Sequence, residues 1–325
     1  MNDASWQPDC NFGPRVMDSQ RTIRRRVSVE GIGLHTGEPV RLTLSPAASD
    51  TGILFRAADG TLIPANTEHV VNSHFATTLG AFGVRVRTVE HLMAAAHGLG
   101  IDNLLVDVSG GELPAMDGSA SGFVEMLEQA GRVSLAVPRQ ALAIDAAIRV
   151  EEGDRFIQVV PSDTFRISYT LDHDHPVIGL QVASVEITET AFVDELAPAR
   201  TYGFLRDVGA MRRNGLARGG SLDNAVVVGK RSVLNDNLRF PDEFVRHKIL
   251  DLVGDLFLLG RPLVGHVVAR NAGHALNYRL LVAIQEATAA GRRRALRRTA
   301  TELAPGAATG TLESAYPAIP RVAAL

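Results

Sequence analysis

The chain has 325 residues, with 33 basic against 36 acidic side chains, a net charge of −3, 46% hydrophobic residues and 21% charged ones. That balance describes a globular protein long enough to bury two ordinary cores, and it excludes a disordered or collagen-like chain. The single cysteine, Cys10, excludes a disulfide framework and a thiolate metal cage, so a reducing, cytoplasmic setting is expected.

Residues 1–19 carry Asp3, Asp9 and Asp18 and no apolar run of signal-peptide length, and are expected to form a flexible N-terminal extension. VSVEGIGLHTGEPVRLTLSPA (27–47) alternates as two strands around a glycine-rich turn, in which His35 can fix the hairpin by hydrogen bonding. From Val84 to Leu104 the pattern runs strand, helix, strand: EHLMAAAHGLG is a short helix with Thr88 as candidate N-cap, and IDNLLVDVSG is the strand after it. GGELPAMDG then reads as a loop and SASGFVEMLEQAG as a helix that Asp117 or Ser119 can cap. After GRVSLAVPRQ the composition resets, which predicts a linker near Val133–Gln140.

LDHDHP (171–176) looks like a metal cluster, but strand alternation puts His173 and His175 on one face and Asp172 and Asp174 on the other. A turn or ligand-contact segment is expected there. The second half then repeats the first half's order, as a helix from about Asp242 to Leu259, a strand at LVGHVVARN, a loop at AGHALN and a long helix from Tyr278 towards Arg294. The fold class predicted is α+β: two similar domains, 20–135 and 136–299, each layering β-sheet against α-helices, with the active site at their junction and a C-terminal tail at 300–325.

The most apolar stretches are broken by Asp102, Asp251, Asp255 or Arg261, so no stable membrane insertion is expected. Arginines at 24–26, 212–213 and 292–298 read as solvated faces and helix C-terminal charge, with no nucleic-acid partner; contact with anionic headgroups stays open.

FVRHKILDLVGD (244–255) stacks His247, Asp251 and Asp255 at i, i+4 and i+8, one polar stripe on an otherwise apolar helix. Buried imidazole and carboxylate need partners, and a divalent metal would be one. His247 and Asp251 can supply two of the three protein ligands of a catalytic site. The third is assigned to His91, because Glu90 beside it can take a proton from a metal-activated water. A lone Glu-His pair is weak evidence, and i, i+4 spacing also arises in salt-bridged helices, so on pattern alone the two readings stand level. His97 reads as structural or solvent-facing, and His266, in an apolar strand, as a satisfied core residue. His274 lies in a glycine-containing loop where an imidazolium can stabilise an oxyanion or protonate a leaving amine, with Asp255 to orient it and raise its pKa; the alternative is a helix cap.

TVEHLMAAAHGLGIDN, PAMDGSASGF, ARTYGFLRD, DEFVRHKILDLVGDLF and GHALN, with QRTIRRRVSVEGIGLHTGEPV near the start, together resemble the UDP-3-O-acyl-N-acetylglucosamine deacetylases, zinc amidases of lipid A biosynthesis in Gram-negative bacteria. The resemblance runs in order from about Gln20 to Ala290. It implies a two-domain α+β fold with zinc at the junction, held by His91, His247 and Asp251; iron(II) is the alternative occupant. It further implies Glu90 as general base, His274 as second acid/base with Asp255 its partner, Thr201 as oxyanion donor and Lys248 as a substrate-binding cation.

The same resemblance implies that ARTYGFLRDVGAMRRNGLARGGSLDNAVVV is an inserted strand-helix-strand element enclosing the substrate's acyl chain, with Tyr202, Phe204, Val208, Ala217, Ser221 and Val227 along the passage. Tyr202 stands where phenylalanine is common. Arg155 and His173 fall where the family contacts the nucleotide, with imidazole in place of the usual phenyl or phenol ring, which weakens stacking on uracil. A monomeric cytoplasmic hydrolase follows. Three alternatives are a zinc hydrolase for another acylamino compound, a catalytically silent sugar-nucleotide or lipid binder, and metal-free chemistry by a His and acid pair. Retention of Glu90, His91, His247, Asp251 and His274 argues against silence.

Overall fold

In the computed structural model, which describes residues 15–303 and the side chains of 18–290, four sheets surround a set of helices. The α+β class expected from the sequence is what folds. A five-stranded sheet is built on the Val27–Ile32 and Pro39–Pro46 hairpin, with Leu104–Val108 pairing between Pro39–Pro46 and Ile53–Arg56. Its inward residues Leu42, Leu44, Phe55, Leu104 and Val106 are fully buried, so the alternation read from the sequence places one face in the core. A seven-stranded sheet, drawn mostly from the second half, centres on Leu263–Arg270, which pairs antiparallel with Arg155–Val160 and parallel with Phe165–His173.

The helices lie between these sheets. Ser121–Ala130 packs on the five-stranded sheet and against Glu90–Gly98; Glu90–Gly98 packs on Glu243–Leu256, which rests on the Phe165–His173 and Gly179–Glu186 hairpin. Glu243–Leu256 is apolar around most of its girth because it is covered on all sides: Val245, Ile249, Leu250, Leu252 and Val253 have no exposed surface. Each such side chain contributes about 1.5–3 kcal/mol on burial. Gly254 lets this helix approach the backbone of Glu90; a Cβ there would stand 2.0 Å from the Glu90 carbonyl oxygen. That crossing fixes the distance between the two segments that carry the polar stripe and the Glu90–His91 pair.

Several local expectations need correction. Arg132–Ala143 is a twelve-residue strand, not a linker, and it pairs with Arg15–Ile23, so the N-terminal extension expected over 1–19 is strand from Arg15 onward. Pro138 sits opposite Ser19, with register shifts on both sides of Ser19, a position where a missing backbone N–H is tolerated. The final helix begins at His274, four residues before the predicted Tyr278, because the Leu276 and Asn277 amides already bond to the Gly273 carbonyl. Thr88 does not cap: Val89 holds that position, while Thr88 lies in left-handed backbone (φ 58°) and its hydroxyl donates to Glu112. Ala120, not Asp117 or Ser119, holds the capping position of the Ser121–Ala130 helix, with the Ser119 hydroxyl accepting from the Ser121 amide. Cys10 and the tail from 304 lie outside the described residues.

Candidate active site

Two segments far apart in sequence converge at the helix crossing. His91 comes from the first turn of Glu90–Gly98, and His247 and Asp251 come from successive turns of Glu243–Leu256. One donor atom from each of the three lies within 4.8 Å of the others, and all three residues are buried. Asp251 Oδ1 stands 3.4 Å from His91 Nε2 and 3.3 Å from His247 Nε2, and the two rings meet edge to face at 5.1 Å. His247 Nδ1–H donates to the Ala199 carbonyl at 3.1 Å, which fixes the tautomer and leaves Nε2 with its lone pair toward the cluster. Burial holds that imidazole neutral, down to about 3, despite Asp251 beside it.

Two imidazole nitrogens and one carboxylate oxygen facing a common centre fit a divalent cation with an open coordination position. For Asp251, burial opposes ionisation, but His247, Lys248, His91 and His274 outweigh it and hold the carboxyl well below its usual range. Its second oxygen accepts from Lys248 Nζ at 2.8 Å. Lys248 is therefore engaged by a ligand carboxylate while also lining the cavity, and that pairing raises its pKa against the opposing effect of burial.

Glu90, His274 and Asp255 form the polar wall beside this cluster. Glu90 is 3% exposed, and desolvation raises its pKa, opposed by His274 and His91. His274 Nδ1–H donates to Asp255 Oδ2 at 2.7 Å, and the opposite nitrogen, Nε2, lies 3.9 Å from both Glu90 Oε1 and Asp251 Oδ2. Burial works against the imidazolium, yet Asp255, Asp251 and Glu90 overcome it and lift His274 to about 9. The face turned to the cavity is thus an N–H donor at neutral pH.

These groups open on a cavity of about 600 Å³ whose walls include Glu90, His91, Thr201, His247, Lys248, Asp251 and His274. The inserted element is present as Tyr202–Phe204, a helix at Leu205–Arg213 and Val226–Val228, the two strands pairing in parallel. Tyr202, Val208, Ala217, Ser221 and Val227 line the cavity; Phe204 does not, and stacks instead near His173 and His175 at 4.8 and 5.4 Å. Arg155 pairs with Glu152 at 3.2 Å, and neither it nor His173 lines the cavity wall. His266, expected in the core, is half-buried and bonds to the Ser168 hydroxyl at 2.8 Å. His97 packs between Phe165 and Phe257.

Four polar residues of the site escaped the sequence reading. Thr77 donates to both Glu90 and Asp255, and Asn277 Nδ2 donates to Asp255 Oδ2 at 2.8 Å. Glu112, 1% exposed, accepts from the His35 and Thr36 amides and the Thr36 and Thr88 hydroxyls at 2.7–2.9 Å. Glu243, fully buried, takes three bonds from Arg200 and so anchors the strand that begins after Thr201 to the first turn of the His247 helix. Only Asn277 had a readable signal, its i+3 spacing from His274 on one helix face.

Comparison with known proteins gives a consistent result. Residues 20–286 match the family described as UDP-3-O-acyl N-acetylglycosamine deacetylase. The chain is 51% identical over 267 residues to a protein of Myxococcus xanthus named UDP-3-O-acyl-N-acetylglucosamine deacetylase, covering 81% of this chain and 85% of that one. Proteins of the same name from Anaeromyxobacter dehalogenans (49% over 265 residues, 81% and 86% covered) and Acidithiobacillus ferrooxidans (48% over 274 residues, 82% and 90% covered) are similar.

Proposed function

The chain belongs to the UDP-3-O-acyl N-acetylglycosamine deacetylase family, and on that premise we propose that it hydrolyses the N-acetyl group of UDP-3-O-(hydroxyacyl)-N-acetylglucosamine. The products are the free 2-amine and acetate, the committed step of lipid A biosynthesis. The observation that carries this reading is the convergence of Glu90, His91, His247, Asp251 and His274 at one wall of a largely apolar cavity. We assign the metal as zinc, with iron(II) as the alternative, to His91, His247 and Asp251. When bound, such a cation polarises an amide carbonyl and makes a water acidic enough to lose its proton near neutral pH.

The protein's own groups then divide the work. Glu90 Oε2 is held by the Thr77 amide at 3.0 Å, which leaves Oε1, on the His274 side, to accept the proton of the attacking water. His274 Nε2–H, kept charged by Asp255 behind it, donates to the oxygen that gains charge as the carbonyl carbon becomes tetrahedral, with the Thr201 hydroxyl as second donor. The glucosamine nitrogen leaves once protonated, and Glu90 and His274, both on the cavity wall, are the two available carriers. Lys248 neutralises Asp251 and offers its charge to the substrate.

The passage residues Tyr202, Val208, Ala217, Ser221 and Val227 suit the acyl chain by their position on the cavity wall. The nucleotide contacts assigned to Arg155 and His173 rest on the family resemblance and are proposals. The functional division follows the ligands: His91 from 20–135, His247 and Asp251 from 136–299. A monomer is part of the same proposal. Among the described residues no helix is long and apolar enough to cross a membrane, and a cytoplasmic site is consistent with the single cysteine.

The test is acetate release from the acylated UDP-sugar by metal-loaded protein. Parent protein should turn over, and a Glu90→Gln variant that retains the metal should be at least about 100-fold slower. Equal rates in the two proteins would refute the assignment of the base, and no turnover by the loaded parent would refute the substrate.

A further inference from the structure

Thr77 is 2% exposed and stands just before the Thr78–Ala81 strand, at the end of the segment Ser73–Phe75 that lines the cavity. All three of its polar atoms are committed to the catalytic groups or to the helix that carries them. Its amide donates to Glu90 Oε2 at 3.0 Å, and its hydroxyl donates to Asp255 Oδ1 at 2.6 Å. Its carbonyl accepts from the Val89 amide at 3.3 Å, at the N-terminus of the Glu90–Gly98 helix. The hydroxyl oxygen also lies 3.4 Å from His274 Nδ1.

Asp255 is 2% exposed, and its two oxygens have different duties. Oδ2 accepts from His274 Nδ1–H and from Asn277 Nδ2. Oδ1 accepts from the Thr77 hydroxyl. A carboxylate gripped at one oxygen alone can turn about its Cβ–Cγ bond, whose torsional preference is broad and two-fold. The imidazole bonded to that oxygen would follow. From this geometry we propose that Thr77 is a positioning residue, whose hydroxyl locks the Asp255 carboxylate so that His274 Nε2 is aimed at the reacting amide, while its amide sets the orientation of Glu90. One residue thereby fixes the base and the acid relative to each other, and ties both to a segment of the cavity wall.

This inference rests on the roles given above to Glu90 and His274, and the experiment keeps the two apart. Thr77→Val preserves the shape and removes the hydroxyl, and Thr77→Ser preserves the hydroxyl and removes a methyl. With metal content and melting temperature matched to parent, the valine variant should lose about 10- to 100-fold in kcat with KM changed less than about two-fold, and the serine variant should stay within about three-fold of parent. In parallel, the imidazole Nδ1–H proton of His274 is followed by NMR in histidine-labelled holoprotein, a readout that needs no substrate. It should be retained in parent and serine variant and displaced or lost in the valine variant.

Failure of the parent to release acetate would sink the functional reading and leave the NMR comparison to decide the role of Thr77. An unmoved His274 proton in the valine variant would overturn the inference, as would parent-like kcat. Should the valine variant not fold, the serine variant decides: parent-like kcat supports the hydroxyl's role, and a loss greater than ten-fold overturns it.

Discussion

Replacing Gly254 by alanine tests whether the helix crossing sets the geometry of the site. The added Cβ would lie 2.0 Å from the Glu90 carbonyl oxygen, 2.8 Å from its carbonyl carbon and 3.1 Å from the Ala94 nitrogen, all backbone atoms that cannot swing aside. A relaxed carbon–oxygen contact is about 3.3 Å, so the helices must separate by about 1.3 Å at this point. Glu90 and His91 move with one helix, His247 and Asp251 with the other. A misplacement of about 1 Å costs about 100-fold in rate, and the same shift widens a donor set that now converges within 4.8 Å. Stability has two opposed contributions: overpacking costs about 1–3 kcal/mol, and alanine in a helix interior gains about 1 kcal/mol over glycine. The expected result is therefore a small loss of stability, by denaturant titration, with a fall in kcat of about 100-fold and weaker metal retention in a chelator competition. A variant about 1 kcal/mol more stable than parent, with full metal content and full kcat, would refute the reasoning.

Three further outcomes are expected. Glu112→Gln sets a buried amide donor against the donors that now face the carboxylate, which costs about 2 kcal/mol. Because this group holds the His35 loop on the cavity wall, KM for the acylated substrate should also rise, measured by initial rates. His97 is held neutral down to about 3 by burial and by the nearby Arg139, against an ordinary value of 6.5. The unfolded chain therefore binds the extra proton between those limits, and stability, complete above pH 6.5, should fall by about 1.4 kcal/mol per pH unit below it. Replacing His97 with leucine should remove that component of the acid slope in pH-dependent urea unfolding; an unchanged slope would count against the assignment. Stripping the cation with a chelator should lower the melting temperature, since a ligand present at about 100 times its Kd contributes about 2.7 kcal/mol, and re-addition of zinc should restore it.

Two of the three candidate ligands, His247 and Asp251, were legible because they are written in helical periodicity. His247, Asp251 and Asp255 recur every fourth residue in an apolar run, and burial of such a stripe demands partners. His91 was reachable only by pairing it with Glu90, a guess the fold supports by packing one helix on the other. Thr77 and Glu112 carry no such period: each is a single polar residue whose partners are chosen by the tertiary fold, Thr77 and Asp255 being 178 positions apart. The Arg132–Ala143 strand was misread because Pro138 and a change in composition mimic a linker, and only its pairing with Arg15–Ile23 reveals a bulged ribbon. Thr88 has a good capping side chain, but its hydroxyl is drawn to Glu112 instead, a choice no local signal records.

The ribbon has a consequence for how the chain is made. Ile23 pairs with Arg132 and Arg15 with Ala141, so the first strand among the described residues waits for its neighbour until the whole stretch between them has left the ribosome. That stretch contains the complete five-stranded sheet and the Glu90 helix, which can form first and bring the two ribbon strands into reach. Removing the codons for Arg15–Ile23 would strip an edge from the larger sheet, bare the pairing groups of its neighbour, and leave a product prone to self-association.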